Sequence, residues 1–272
     1  MMHCFVSFAA SMPTPAIEFK SVEKRFHTAK QGEVLAVRGV SFTVQVGEVV
    51  SIIGPSGCGK STLLNMGSGL YAPSSGEVFV HGERVTQPSP KVAFMLQKDL
   101  LMPWRTILEN IALGQEIRGT HKTERLATAQ TLLDQCRLSG FGNHYPHQLS
   151  GGMRQRAALA RTLAVNPDVL LMDEPFSALD AQTKMILQQD LARMVAATGK
   201  TVVFITHDLV EAVALSDRIL VMSERPGTII EEIVVQIEGR DKPMQRRQHP
   251  DVGQYVGRLM ALLKLDEETA VH

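Results

Sequence analysis

The rhythm of apolar and polar positions changes twice along the chain. From residue 17 to 53 it alternates or runs apolar, as in IEFKSVEKRF and VLAVRGVSFTVQVGEVVSIIG, with Gly47 as a turn. Period-two alternation and short apolar runs predict several strands. STLLNMGSGL then reads as a helix, SGEVFVHGERV as a hairpin turning at His81-Gly82, and KVAFMLQ as another strand. Between Thr106 and Leu163 the apolar residues recur at helical spacing, in TILENIALG, TERLATAQTLLDQCRL and GGMRQRAALARTLA, with no strand pattern among them. Strands return as DVLLMD, TVVFIT, RILVMS and TIIEEIVVQI, separated by the helical AQTKMILQQDLARMVAA and DLVEAVALS.

Strands alternating with helices predict an α/β core, a mostly parallel sheet covered by helices, and the helical stretch reads as an insertion lobe. There is no internal repeat and no long linker, so one domain with two lobes is expected. It spans 17–237, with a helical subdomain at about 104–165, between an N-terminal extension (1–16) and a short tail (238–272) holding one helical pattern.

Composition narrows the partners. Lys+Arg and Asp+Glu balance at 28 each, so nothing favours nucleic acid or an anionic membrane surface. Three scattered cysteines, Cys4, Cys58 and Cys136, form no CxxC and no metal-ligand spacing, which fits a reducing compartment. No apolar run approaches the roughly 18 residues a spanning helix requires. A membrane role must therefore come through partners. The opening MMHCFVSFAASMPTPAIEF has an apolar patch from Cys4 to Ala10 but no charged n-region, leaving two readings, a biological start at Met12 or an export signal.

The chemistry concentrates in a few short stretches. GPSGCGKST (residues 54–62) fits G-x-x-x-x-G-K-[ST], entered by a strand and left by a helix. In such a loop (Gly54, Pro55, Ser56, Gly57, Cys58, Gly59, Lys60, Ser61, Thr62), glycines let backbone N–H groups wrap a phosphate at a helix N-terminus. Lys60 then reaches the β- and γ-phosphates and the Ser61 hydroxyl ligates Mg²⁺. VLLMDEP ends an apolar strand in two carboxylates: Asp173 is expected in the Mg²⁺ shell, near where a neighbouring strand delivers the phosphate loop, and Glu174 to polarise the attacking water. His207 ends TVVFIT on the same sheet edge, within reach of a γ-phosphate, and Gln97 ends KVAFMLQ there, placed to contact Mg²⁺ or water. LSGGM (residues 149–153) is a second loop of glycines opening a long helix. Cys58 has either no chemical role or, near a helix N-terminus and a lysine, a lowered thiol pKa.

In this order the stretches resemble the nucleotide-binding subunit of ABC transporters, over nearly the whole chain. The glycine loop resembles Walker A, Gln97 the Q-loop, LSGGM the signature motif, VLLMDE Walker B, SALD (residues 177–180, with Asp180) the D-loop and His207 the H-loop; Phe26 resembles the aromatic that stacks on adenine. The resemblance implies a P-loop NTPase (ABC ATPase) fold with an antiparallel β lobe. It also implies a head-to-tail dimer in which each ATP, with Mg²⁺, lies between Walker A of one chain and Ser150, Gly151 and Gly152 of the other. Met153 departs from the pattern, which has Gln there. QKDLLMPWRTILENIALG (residues 97–114) resembles importer ATPases for nitrate, sulfonates and taurine, a feature shared with importers of pyrimidine-type precursors. Implied partners are a second ATPase subunit, itself or a homologue, transmembrane permease subunits and a periplasmic or surface solute-binding protein, at the cytoplasmic face of the inner membrane. A soluble ABC ATPase of translation or DNA maintenance is the alternative. Trp104, the only tryptophan, is either a core anchor or a lining of the groove that receives a membrane subunit.

Overall fold

The computed structural model describes residues 14–28 and 32–265. The residues around Cys4 and Met12 that bear on the two N-terminal readings lie outside the described residues. Strands β1 (Ile17–Thr28), β2 (Gly32–Val44), β4 (Ser75–Val80) and β5 (Glu83–Arg84) form an antiparallel sheet in the order β2-β1-β4-β5. The β4–β5 turn falls where the sequence predicts it: His81 and Gly82 both have positive φ, 48° and 77°, the conformation a two-residue primed turn requires.

The second sheet holds β3 (Val49–Ile53), β6 (Val92–Met95), β7 (Val169–Asp173), β8 (Thr201–Ile205), β9 (Arg218–Met222) and β10 (Ile229–Val234), in the order β10-β9-β3-β8-β7-β6. All its pairings are parallel except β10 on β9. Every residue of β3, β7 and β8 is buried, which is why they read as unbroken apolar runs. Helices α1 (Lys60–Gly67), α5 (Ala181–Thr198) and α6 (Leu209–Leu215) follow β3, β7 and β8 in the chain.

Between β6 and β7 the chain makes the helical lobe, α2 (Ile107–Ile117), α3 (Lys122–Gln135) and α4 (Gly151–Ala164), with its own apolar cluster around Ile107, Ile111, Leu133 and Leu138. A capping box between Thr106 and Glu109 starts α2. The tail contains two helices rather than the single one expected, a short α7 (Pro243–Arg246) and α8 (Val252–Leu262). Val252 and Leu259 of α8 join a cluster with Ile53, Ala212 and Val213. The tail thus packs against the strand end that leads into the glycine loop.

Candidate functional site

The glycine loop starts where β3 ends. A side chain at Gly54 would meet the Met222 carbonyl oxygen at 2.9 Å, and one at Gly59, which has φ +112°, would lie 2.7 Å from Val37 Cγ2. Both positions demand glycine, so the backbone passes close to its neighbours without obstruction. No side chain caps the first N–H groups of α1, which leaves them as donors at the positive end of the helix dipole. Lys60 is buried, and its ammonium donates to the carbonyl oxygens of Gly54 at 2.7 Å and Pro55 at 2.8 Å. These bonds draw the loop into a cradle around the lysine. Ser56 and Gly57 are exposed at the loop's tip, Pro55 and Thr62 half-buried, and Ser61 exposed at the helix start.

Cys58 overturns one expectation. It is 1% exposed, and burial pushes its thiol up from the ordinary value, with the nearby Lys60 offsetting only part of the shift. The helix N-terminus and the lysine do not make a reactive thiolate here, because desolvation outweighs them.

Asp173 ends β7 and is buried; burial raises its carboxyl pKa, opposed by a hydrogen bond from the Ser61 hydroxyl. The expectation of a directly neighbouring strand needs correction, since β8 lies between β3 and β7. The glycine loop and Asp173 meet across β8, through the first turn of α1. Ser61 and Asp173 offer a hydroxyl and a carboxylate, the hard oxygen donors that suit Mg²⁺. Among the described residues no cluster of three or more His, Cys, Asp or Glu could hold a metal on its own.

Glu174 adopts φ +48°, in the left-handed region. Non-glycine residues held there cost of order 1–3 kcal/mol and cluster where geometry serves function. Its N–H donates to Ile205 O on β8 at 3.1 Å, and its own carbonyl accepts from Ser177 Oγ at 3.0 Å. Gln97, two residues beyond the end of β6, donates from Nε2 to Glu174 Oε2 at 3.0 Å. His207 Nδ1 lies 3.7 Å from the same oxygen, and its side chain is 68% exposed. Gln97 and His207, from the ends of two parallel strands, therefore converge on the carboxylate that follows a third.

The second glycine loop is built differently. Ser150 caps α4, its Oγ accepting from Met153 N at 3.3 Å. A Cβ on Gly152 would lie 3.1 Å from Leu179 Cδ2, so the loop abuts residues 177–180 of its own chain. Asp180 caps α5, accepting from Thr183 N at 2.9 Å; a hydrogen bond with the Thr183 side chain, joined by that backbone bond, holds its carboxyl below the ordinary value. Among the described residues no hydrogen bond or ion pair joins residues 150–153 to residues 54–62. Met153 packs against the apolar cluster of the helical lobe, a role that an amide would not fill.

Phe26 is half-buried on β1, edge-to-face with Tyr71 at 5.7 Å, and the Lys24 ammonium lies 5.3 Å from its ring. Tyr71, beyond the end of α1, carries no signal in the sequence because a lone aromatic in a loop has no periodicity. Nor does the sequence signal the pairing of Asp99 with Arg154. Arg154 Nε donates to Asp99 Oδ2 at 2.9 Å, and Arg161 donates to the Asp99 and Leu100 carbonyls at 2.6 and 2.8 Å. These bonds fasten the segment after Gln97 to the helix after LSGGM. Trp104 is 71% exposed, so it is not a core anchor. The loop presenting it is held by the buried Asn110 side chain, whose amide donates to the carbonyls of Met102, Arg105 and Thr106 at 2.9–3.1 Å.

A parallel sheet whose first βα turn is a lysine-bearing glycine cradle, with an acid at a nearby strand end, defines a phosphate-loop nucleotide-binding protein. The family model described as ABC transporter matches residues 37–177. The taurine import ATP-binding protein TauB of Roseobacter denitrificans is 40% identical over 240 residues, covering 87% of this chain and 90% of that one. The nitrate import ATP-binding protein NrtD of a Synechocystis species is 40% identical over 245 residues, 88% of this chain and 92% of that one. Among solved structures, the dimeric ATP-binding cassette MJ0796 in a post-hydrolysis state bound to ADP and Pi superposes with a TM-score of 0.74 at 34% identity, over 81% of this chain and 99% of that one. The chain belongs to the ABC transporter ATP-binding family, and its fold is that of the ABC ATPase.

Proposed function

We propose that this chain is the ATP-hydrolysing motor subunit of an importer for a small solute of the nitrate, sulfonate or taurine kind. In this reading residues 17–237 form the ATPase unit, with the helical subdomain at about 104–165, and 238–272 an appended tail. The observation that carries it is the convergence of Gln97 and His207 on the Glu174 carboxylate beside the Lys60 cradle. The names of the TauB and NrtD relatives support import and the solute class.

Two chains pair head to tail. Residues 54–62 and Gln97 of one and Ser150, Gly151 and Gly152 of the other enclose each ATP, with Asp180 at the junction and Phe26 at the adenine. Lys60 contacts the β- and γ-phosphates, Ser61, Gln97 and Asp173 hold Mg²⁺, Glu174 orients the attacking water and His207 bonds the γ-phosphate. When bound, Mg²⁺ neutralises charge on the phosphate oxygens as the bond breaks. Closure follows from contacts to the γ-phosphate from both chains, and hydrolysis releases them.

The motor docks on separate transmembrane permease subunits at the cytoplasmic face of the inner membrane, and a periplasmic or surface protein supplies the solute. No described helix is long and apolar enough to cross a membrane. The exposed Trp104 lies on the segment that carries the importer resemblance, which favours docking there over a soluble ATPase of translation or DNA maintenance. Mixing wild-type chains with Lys60→Ala chains tests the pairing. Activity is expected to fall by more than simple dilution, and a strictly proportional loss would contradict it.

A further inference from the structure

Behind the strand-end cluster lies a second group of charges, centred on Lys184. Lys184 sits in the first turn of α5, where its backbone N–H donates to Asp180 O at 2.8 Å. Its ammonium reaches Asp208 Oδ2 at 2.8 Å and Glu211 Oε2 at 2.7 Å, both belonging to the segment after β8. The Glu211 side chain is 2% exposed and accepts a second bond from Gln188 Nε2 at 2.8 Å. Gln188, itself buried, accepts from Arg247 of the tail at 2.8 Å. A carboxylate this deep is costly unless paired, and burial raises its pKa while Lys184 holds it back.

The pairs close a ring. Glu174 is tied to Ser177 by the Ser177 Oγ bond, and the chain runs on through Asp180 to Lys184. Lys184 bridges to Asp208, the neighbour of His207, and His207 Nδ1 returns to within 3.7 Å of Glu174 Oε2. The backbone on both sides of His207 is fixed: Asp208 N–H donates to Thr206 Oγ1 at 3.0 Å, and Asp208 Oδ1 accepts from Glu211 N at 3.0 Å. The bridge from Lys184 is the link nearest the site between α5, which follows the loop after Glu174, and the segment bearing His207; the Gln188–Glu211 bond joins them one turn further along α5.

We propose that the Lys184 ammonium, clamped between Asp208 and Glu211, is a positioning group that sets the separation of Glu174 and His207 and thereby the rate of the hydrolytic step. This rests on the reading of Glu174 and His207 given above. Because, among the described residues, the Lys184 ammonium pairs with Asp208 and Glu211 and with neither loop 54–62 nor residues 150–152, ATP binding is expected to be spared.

The test is steady-state ATPase of the full chain as wild type, Lys184→Met, Lys184→Arg, Lys184→Met/Glu211→Gln and Lys60→Ala, each normalised to its folded fraction by thermal melting. Lys184→Met is expected to lower kcat by about tenfold, a fraction of the roughly hundredfold that an ångström of misplacement can cost. KM for ATP should stay within about twofold, and Lys184→Arg should recover most of the rate. The double variant, which removes the unpaired buried acid and so keeps the fold, should remain slow. If Lys184→Met keeps wild-type kcat, if KM rises instead, or if the double variant recovers the rate, the positioning role is overturned while the ATPase reading stands. If wild type hydrolyses ATP no faster than Lys60→Ala, the ATPase reading itself fails and takes the positioning role with it.

Discussion

The two glycine loops each open a helix, yet they are not equivalent. At residues 54–62 a buried lysine is drawn into the loop, glycines are enforced by close backbone neighbours, and no side chain caps the helix. At residues 149–153 a serine caps the helix, no lysine lies within the loop, and Gly151 has open space around it apart from Arg154 Nη2 at 3.9 Å. The first loop is a closed cradle that its own chain completes. The second offers a helix N-terminus and a hydroxyl outward, and the dimeric structure of the MJ0796 relative shows that cassettes of this family pair. The difference teaches that two glycine loops of similar composition can be built differently, and that burial and capping distinguish them; under the proposed pairing they are the two halves of one site.

The largest effect is expected at the Glu174 carboxylate, which Gln97 and His207 approach. Glu174→Gln is expected to lower kcat by roughly 10²–10⁴-fold, the usual contribution of a proton-handling group, while ATP affinity is retained. Single-turnover phosphate release together with nucleotide titration checks this, and an equal loss of affinity would move Glu174 from chemistry to binding. Next come the glycines. Gly59→Ala puts a side chain at φ +112° against Val37 and Ala36, so a loss of about 1–3 kcal/mol in stability is expected, with ATP binding lost. Gly151→Ala meets no such obstacle and should stay within about 0.5 kcal/mol by denaturant melting. Comparable destabilisation at both sites would erase the distinction between the loops.

Much of this was legible in the sequence. The apolar runs of β3, β7 and β8 announced strands buried on both faces, and the spacing of residues 54–62 announced a loop that only glycines could make. Gln97, Asp173, Glu174 and His207 were legible because parallel strands bring their C-terminal ends to one edge. The insertion of β8 between β3 and β7 was not legible, since strand order depends on crossovers that local pattern does not encode. Nor was the state of Cys58, because charge neighbours can be read from sequence whereas desolvation comes only with packing. Asp99–Arg154 and Lys184–Glu211 pair residues 55 and 27 apart by number, and neither partner alone carries a signal.

Smaller effects separate the helical lobe from the nucleotide site. Trp104→Ala removes an exposed ring, so stability should change by less than about 0.5 kcal/mol and the isolated chain should keep its ATPase. Coupling of ATPase to solute transport in membrane vesicles should fall; unchanged coupling would remove Trp104 from the docking groove. The smallest effect is expected from Met153→Gln. Its side chain packs on the lobe's apolar cluster, so a modest loss of stability with ATPase largely intact is predicted, and a large loss of activity would give the fifth position of the loop a direct role.

The central claim is that the outward-facing loop completes a nucleotide site on another chain, and light scattering of the Glu174→Gln chain with and without ATP tests it most directly. ATP should convert monomer to dimer. Adding Ser150→Phe should abolish that dimer while the monomer binds ATP with unchanged affinity. A Ser150→Phe chain that still dimerises with ATP, or one that loses ATP as a monomer, would contradict the account.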